Sequence, residues 1–339
     1  MTNKYKYFVA NWKMFGDLKT VNSINKVIKF SKSRKFNKAK IIYCPPYTLL
    51  SSFVQKLKNT KIEVGGQNCH QIDSSGPFTG SINSKMIKSL GCKYVIIGHS
   101  ENRIEGETNL IINQKIKTAL NNNLKILFCI GENLKEKRTK KTKRILNNQI
   151  TRGLKSIRNI TNIIFAYEPV WSIGTGIIPK QYDLKNNILF IKQLLQKKFK
   201  SRNPKVLYGG SVNHKNVNEL RKINQIDGFL IGGASQNSNK FIDIIKKNVY
   251  LIPMENILLT VNIILAFILV ILVLIQKSEG GALGIGVSQD SFMFSRSAGD
   301  FLTKATGFVA ALFIMCSLSL TIISRGDLEP TISVLDKIE

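Results

Sequence analysis

The sequence predicts an α/β unit closing as a (β/α)8 barrel over residues 1-252, followed at 254-339 by a two-span transmembrane helical hairpin. Three observations carry this. Short apolar or β-branched runs recur about every 20 to 40 residues in the first part, each followed by a polar segment with helical spacing, the mark of repeated βα units. Eight such runs in about 250 residues is the arithmetic of a closed barrel. An open doubly wound sheet would place a Gly-x-Gly-x-x-Gly loop after its first strand, and none stands there. Finally, two stretches of 19 residues in the last third carry no charge and are long enough to cross a bilayer.

The predicted strands centre on Phe8-Val9-Ala10, Ile41-Ile42-Tyr43, Ile62-Glu63-Val64, Val95-Ile96-Ile97, Ile126-Leu127-Phe128, Ile163-Ile164-Phe165, Val206-Leu207-Tyr208 and Phe229-Leu230-Ile231. In such a barrel the chemistry sits at the carboxyl ends of the strands. After the first comes Asn11-Trp12-Lys13-Met14; a lysine there is a solvated cation by default, and inside an anion pocket a point charge for phosphate or a developing oxyanion. The loop Gln67 to Ser84 after the third contains Gly76-Pro77-Phe78-Thr79-Gly80, either a mobile tip or a piece that docks into a partner. The fourth ends Gly98-His99-Ser100-Glu101. Of three histidines His99 alone stands at a strand end and is the candidate electrophile, whereas a solvated role is expected for His70 and His214. In Cys129-Ile130-Gly131-Glu132, Cys129 reads as small core packing.

The sixth strand is followed by Glu168, a carboxylate facing a cavity. Pro169 stops the strand, Val170 and Trp171 can cover a ligand, and Gly174 and Gly176 permit the backbone angles of a lid over an anion. The alternative is a surface loop with an incidental Glu. Tyr208-Gly209-Gly210-Ser211-Val212 and Gly232-Gly233-Ala234-Ser235 end the last two strands, and their glycines let backbone N–H groups approach an anion closely.

Taken together, Asn11-Trp12-Lys13, Gly98-His99-Ser100-Glu101, Tyr167-Glu168-Pro169-Val170-Trp171, Ile173-Gly174-Thr175-Gly176, Tyr208-Gly209-Gly210-Ser211 and Gly232-Gly233-Ala234-Ser235 resemble the triosephosphate isomerase family in order and spacing, over about residues 5 to 250. The chain departs from the family pattern at Ser172, where Ala is common, at Asn102, where Arg is common, and in a lid that reaches Pro179 about two residues early. The resemblance implies a TIM barrel and the interconversion of dihydroxyacetone phosphate and glyceraldehyde 3-phosphate in glycolysis and gluconeogenesis. It implies Glu168 as base, His99 as electrophile and Lys13 with Asn11 as stabilisers of negative charge. Asn11, Lys13, Gly174, Ser211, Gly232 and Gly233 are then the substrate-binding set, with Glu101 in support of Lys13. It also implies a homodimer built through the Phe78 loop. No metal or organic cofactor is expected, because these donors can stabilise an enediolate by themselves.

Composition separates the two parts. From Met254 onward five basic residues face eight acidic ones, a net −3, so the chain's +29 resolves into +32 on the first part. Such a charge admits nucleic-acid or anionic-membrane binding, or a lysine-rich lineage. The lysines are scattered through helix patterns such as Lys135 to Arg144, without interleaved aromatics, so composition is the reading adopted and no nucleic-acid partner is expected. Five cysteines without a Cys-x-x-Cys argue for reduced thiols, and Met1 to Lys6 lacks a signal peptide's apolar core, so the barrel is expected to be cytoplasmic.

Ile257 to Ile275 contains only Thr260 and Asn262 as polar residues and gains about 6 kcal/mol on insertion at roughly −0.4 kcal/mol per Leu, Ile, Val or Phe. Ala305 to Ile323 is the weaker second span, and Gln276 to Lys304 reads as a flexible, partly interfacial loop. The segments Leu274-Ile275-Gln276-Lys277-Ser278-Glu279-Gly280-Gly281 and Phe301-Leu302-Thr303-Lys304 resemble SecG, a subunit of the bacterial protein-export translocon, which implies a multi-pass hairpin in the inner (cytoplasmic) membrane and partners among the export channel subunits. A bare two-span anchor is the alternative. SecG-like hairpins are understood to keep both ends outside the cytoplasm, which conflicts with a cytoplasmic barrel. Because Met254 stands three residues before the first span, much of the product is expected as two proteins.

Overall fold

A computed structural model of the chain describes residues 5–249, 254–275 and 289–326. The strands are β1 Lys6–Asn11, β2 Ala39–Cys44, β3 Glu63–Gln67, β4 Tyr94–Ile97, β5 Lys125–Ile130, β6 Ile163–Tyr167, β7 Lys205–Tyr208 and β8 Gly228–Ile231. All eight predicted centres fall on them, with Ile62 one residue ahead of β3. Each pairs in parallel with its neighbours and β8 closes onto β1, so no edge is left open.

A residue-by-residue alternation builds the core. Val9 and its β2 partner Ile42 point into the barrel with Tyr94, Ile96, Leu127, Ile164, Leu207 and Leu230. Phe8, Ala10, Ile41 and Tyr43 point outward into the larger layer beneath the helices. Both faces of every strand are thus dry, which is why the strands read as continuous apolar runs rather than as alternating ones. The helices beside the barrel are α1 Asn25–Ser31, α2 Tyr47–Leu57, α3 Ser84–Ser89, α4 Ser100–Ile104, α5 Asn109–Asn121, α6 Leu134–Arg138, α7 Thr142–Gly153, α8 Gln181–Phe199, α9 Val217–Leu220 and α10 Ser238–Val249. Side-chain caps start several of them: Thr108 accepts the N–H of Ile111 ahead of α5, and Asn133 with Glu136 forms a reciprocal capping box at α6.

By internal contacts the chain divides into Met1–Tyr250 and Leu251–Glu339. In the second unit, α11 Met254–Ile275 and α12 Gln289–Gly326 are the helices. Their membrane-length stretches are Leu258–Ile275, mean hydropathy 3.2, and Phe301–Ile322, mean hydropathy 2.0. Within this unit the Asn262 amide and the Ser317 hydroxyl exchange hydrogen bonds at 3.1 and 3.2 Å, and Cys316 Sγ lies 3.4 Å from the Leu258 carbonyl.

The expected loop from Gln276 to Lys304 is corrected in its second half. Residues 289–304 are helical, because a helix nucleated in the apolar stretch gains one hydrogen bond per added residue and no proline stands in its way. Gln276-Lys277-Ser278-Glu279-Gly280-Gly281 and the junction around 252 lie outside the described residues.

Candidate active site

Strand ends bring the predicted residues to one mouth of the barrel. Asn11, the buried last residue of β1, accepts the backbone N–H of Lys13 on its side-chain oxygen at 3.2 Å. Lys13 takes a left-handed φ of 55°, an arrangement held from outside by Gln67, which donates to the Lys13 carbonyl at 2.9 Å. Lys13 Nζ forms an ion pair with Glu101, and its Cε lies 3.5 Å from where a Cβ on Gly232 would stand. The first and eighth strand ends are therefore neighbours across the closed seam.

His99 caps α4. Its Nδ1 accepts the N–H of Glu101 at 3.3 Å, and an Nδ1 that accepts carries no proton, which places the ring's N–H on Nε2. Nε2 lies 3.4 Å from Glu168 Oε1. Glu168 is 2% exposed, and burial pushes its carboxyl above the ordinary value of 4.5, opposed by His99, Lys13, the Ser100 N–H and the Cys129 thiol. Cys129 is itself fully buried, as expected of a packing residue.

Two glycines make room for Glu168, one beside its backbone and one beside its side chain. A Cβ on Gly131 would overlap the Glu168 carbonyl oxygen, and one on Gly209 would stand 2.7 Å from Glu168 Cγ. Gly209, which reads from sequence as an anion-approach residue, also leaves room for the Glu168 side chain. Gly131 is pinned in turn by Gln149, whose amide bonds both its N–H and its C=O at 2.8 and 2.9 Å.

Sequence reasoning passed over Glu132. Buried at the end of β5, it accepts from the Tyr167 hydroxyl at 3.1 Å and from Trp171 Nε1 at 3.1 Å, while Lys137 Nζ sits 3.3 Å from the centre of the Trp171 ring. The first turn of the lid is thereby held to β5 and α6. A second acid at a strand end, three residues after Cys129, was the available signal.

Ser172 is the other residue whose part emerges only in three dimensions. It donates to the Ile177 carbonyl at 2.6 Å, so the Tyr208 hydroxyl at 3.0 Å must donate to it, and the Ser211 N–H approaches it at 3.3 Å. One hydroxyl with a single proton and two lone pairs thus joins both ends of the lid to β7 and the loop behind it. Burial pushes the Tyr208 phenol up to about 12, so it stays a donor.

Gly174 and Gly176 have φ of 72° and 79°, the left-handed values a lid of this length demands. Gly174 stands in open space at the lid tip, where an added Cβ would meet nothing within 4 Å. Gly233 opens a single 3-10 turn, Gly233–Gln236, and Ser235 there ties back to β1 by accepting from Trp12 Nε1 at 3.3 Å. The two other histidines lie in the loops after β3 and β7. His70 is half-buried against Phe78, with ring centres 4.7 Å apart, and His214 is half-buried with its Nδ1 shielded and without a bonded partner among the described residues, so both are less solvated than expected. Phe78 is 36% exposed. Among the described residues no three His, Cys, Asp or Glu side chains converge as a metal site requires.

Comparison with known proteins agrees with this geometry. The family model described as triosephosphate isomerase matches residues 6–248, and that of the preprotein translocase SecG subunit matches residues 255–339. A triosephosphate isomerase of Dictyoglomus thermophilum is 40% identical over 248 residues, covering 71% of this chain and 98% of its own. That of Dictyostelium discoideum is 38% identical over 259 residues, covering 74% and 98%. A crystal structure of triosephosphate isomerase from Bartonella henselae superposes with a TM-score of 0.65 at 33% identity, covering 71% and 98%. These relatives are spanned almost whole by the barrel alone, the same part that internal contacts set off as a compact unit, Met1–Tyr250. By the extent of the family match and by identity along the full length of such relatives, the chain belongs to the triosephosphate isomerase family.

Proposed function

We propose that the barrel interconverts dihydroxyacetone phosphate and D-glyceraldehyde 3-phosphate, an intramolecular aldose-ketose isomerisation, by proton transfer through an enediolate. The observation that carries this reading is the buried pairing of Glu168 with His99 Nε2 at 3.4 Å. A carboxylate deprived of water is a stronger base than one in solution, and Glu168 takes the carbon-bound proton. His99 donates from Nε2 to the carbonyl oxygen and passes protons between the two oxygens. Lys13 and Asn11 stabilise the negative charge that develops, and Glu101 holds Lys13 in place. Gly174, Ser211, Gly232 and Gly233 bind the phosphate through backbone N–H groups and the Ser211 hydroxyl, Gly174 after the lid has moved.

Glu168→Ala and His99→Ala are each expected to lower turnover by at least ~10²-fold, the lower range for a general acid-base group, with the fold intact by circular dichroism. A variant within a few-fold of wild type removes that residue from the mechanism. Because Glu168 works ionised and its carboxyl is raised by burial, kcat/KM should fall as pH drops through that raised value, placing the acid limb above the ordinary 4.5. The Phe78 loop docks into a second copy of the barrel; sedimentation at micromolar concentration should show a dimer, and a stable active monomer would count against it.

The domains divide at 1-252 and 254-339, and the second is a SecG-like multi-pass hairpin of the inner membrane working with export channel subunits, the barrel remaining cytoplasmic. Co-purification of the channel's large subunit with a tagged hairpin is the expected result. A hairpin that only tethers the barrel would bring down none.

A further inference from the structure

The two mouths of the barrel carry different patterns of charge. At the carboxyl ends of the strands Lys13, Arg103 and Lys137 stand among Glu101, Glu132 and Glu168, so cations and acids are balanced there. At the amino ends, Lys6, Lys40, Lys125 and Lys205 fall within the first two residues of β1, β2, β5 and β7, and Lys38 and Lys93 directly precede β2 and β4. Parallel pairing makes them neighbours: the N–H of Lys6 donates to the carbonyl of Lys38 at 2.9 Å, and that of Lys125 to the carbonyl of Lys93 at 2.8 Å.

Two acids stand among these six lysines, and both are engaged. Glu63 gathers Lys40 at 3.3 Å, Lys93 at 3.2 Å and the Tyr94 hydroxyl at 3.0 Å. Asp227, fully buried, pairs with Lys192 at 2.7 Å and accepts the Val206 N–H at 2.9 Å. Burial, and after it the nearby Lys40, Lys93 and Lys88, pushes the Lys125 amine below its ordinary range despite Glu63. A lysine-rich composition would load both mouths alike. It does not, so the rim has a placement that composition leaves unexplained.

Helices of a βα barrel run back against their strands, so α10 ends at Val249 on this same side, and five residues later Met254 opens α11 with its membrane-length apolar stretch. An anionic bilayer surface is the polyanion such a chain meets first. We propose that the lysine rim at the amino ends of the strands docks on anionic phospholipid headgroups. A barrel held by this rim keeps the mouth with Glu168 and His99 open to solution. The biological setting rests on the hairpin reading above, whereas the binding itself is a property of the barrel and is tested without the hairpin or the isomerisation.

The experiment is co-sedimentation of the barrel, residues 1-252, with vesicles of phosphatidylcholine alone and with about one third phosphatidylglycerol, across salt from about 0.05 to 0.5 M. Binding to the anionic vesicles only, lost at high salt, is expected. The triple variant Lys38→Gln, Lys93→Gln, Lys205→Gln should weaken it on the order of 10²-fold, about fivefold per lysine, with an unchanged circular dichroism spectrum as proof of folding. Lys135→Gln, Lys140→Gln, Lys141→Gln, an equal change of charge on α6 and the turn that leads into α7 on the opposite side of the barrel, should cost less than about threefold. No binding to anionic vesicles, equal losses in the two triple variants, or a single-stranded oligonucleotide bound more tightly than the vesicles would each overturn the proposal.

Discussion

The mouth of the barrel and the membrane-length hairpin are specified in different ways. At the mouth each functional atom has named neighbours: His99 Nδ1 is occupied by one N–H, Glu168 is seated by two glycines, and Ser172 spends its proton and both lone pairs on three partners. In the hairpin the Asn262–Ser317 pair is a directed contact between α11 and α12, and most of the described side chains there present apolar surface outward. The comparison teaches that function needing sub-ångström placement is written in contacts, whereas a membrane segment is written in bulk hydropathy. Single-atom changes should therefore be severe in the first region and mild in the second.

The largest effect is expected at Gly131→Ala. Its methyl would occupy the space of the Glu168 carbonyl oxygen, and the backbone on both sides is fixed by Gln149 and by the Glu168 N–H to Ile130 C=O bond at 2.8 Å. Activity should fall at least ~10²-fold, with or without loss of soluble protein, since misplacing a general base costs that much. Retention of a tenth of wild-type activity would show that the close approach does not matter.

Next comes Ser172→Ala. Removing the hydroxyl leaves the Ile177 carbonyl and the Tyr208 hydroxyl without this partner, at about 1 kcal/mol for each hydrogen bond, so KM should rise by up to about thirtyfold with a smaller change in kcat. Tyr208→Phe in the same background should add little, because it removes a bond already broken. Additive losses would contradict the shared hydroxyl.

The smallest effect belongs to the hairpin. Leu258→Cys in the full chain should be cross-linked to Cys316 by a bifunctional maleimide of short reach, since Cys316 Sγ stands 3.4 Å from the Leu258 carbonyl. Asn262→Leu should slow that cross-linking only about two- to fivefold, in line with the ~0.6 to 1 kcal/mol of a hydrogen bond between membrane helices. Complete loss would mean that this one pair organises the hairpin.

The same contrast explains what could be read in advance. Strands such as Val95-Ile96-Ile97 announce themselves by being apolar throughout, and closure followed from their number. Glu168, His99 and Lys13 were visible because ionisable residues at strand ends are out of place unless something uses them. Glu132 and Ser172 were not, since their value lies in partners 35 to 39 positions away that no local pattern encodes. The hidden constraint on Gly209 belongs to the same class. In the hairpin, hydropathy placed both spans but left the start of α12 misjudged, because Gly and Ser count as loop formers locally and yield to propagation from an adjoining helix.

The central claim, that Glu168 moves a proton rather than a hydride passing directly between carbons, is tested by running the isomerisation in D2O on the 1-252 barrel and following the product by proton NMR. A carboxylate that has taken a proton from carbon exchanges it with solvent, so deuterium should appear on the carbon beside the carbonyl, and Glu168→Ala should lose turnover and labelling together. Full turnover with no deuterium in the product, or labelling that persists at the wild-type rate in Glu168→Ala, would contradict the account.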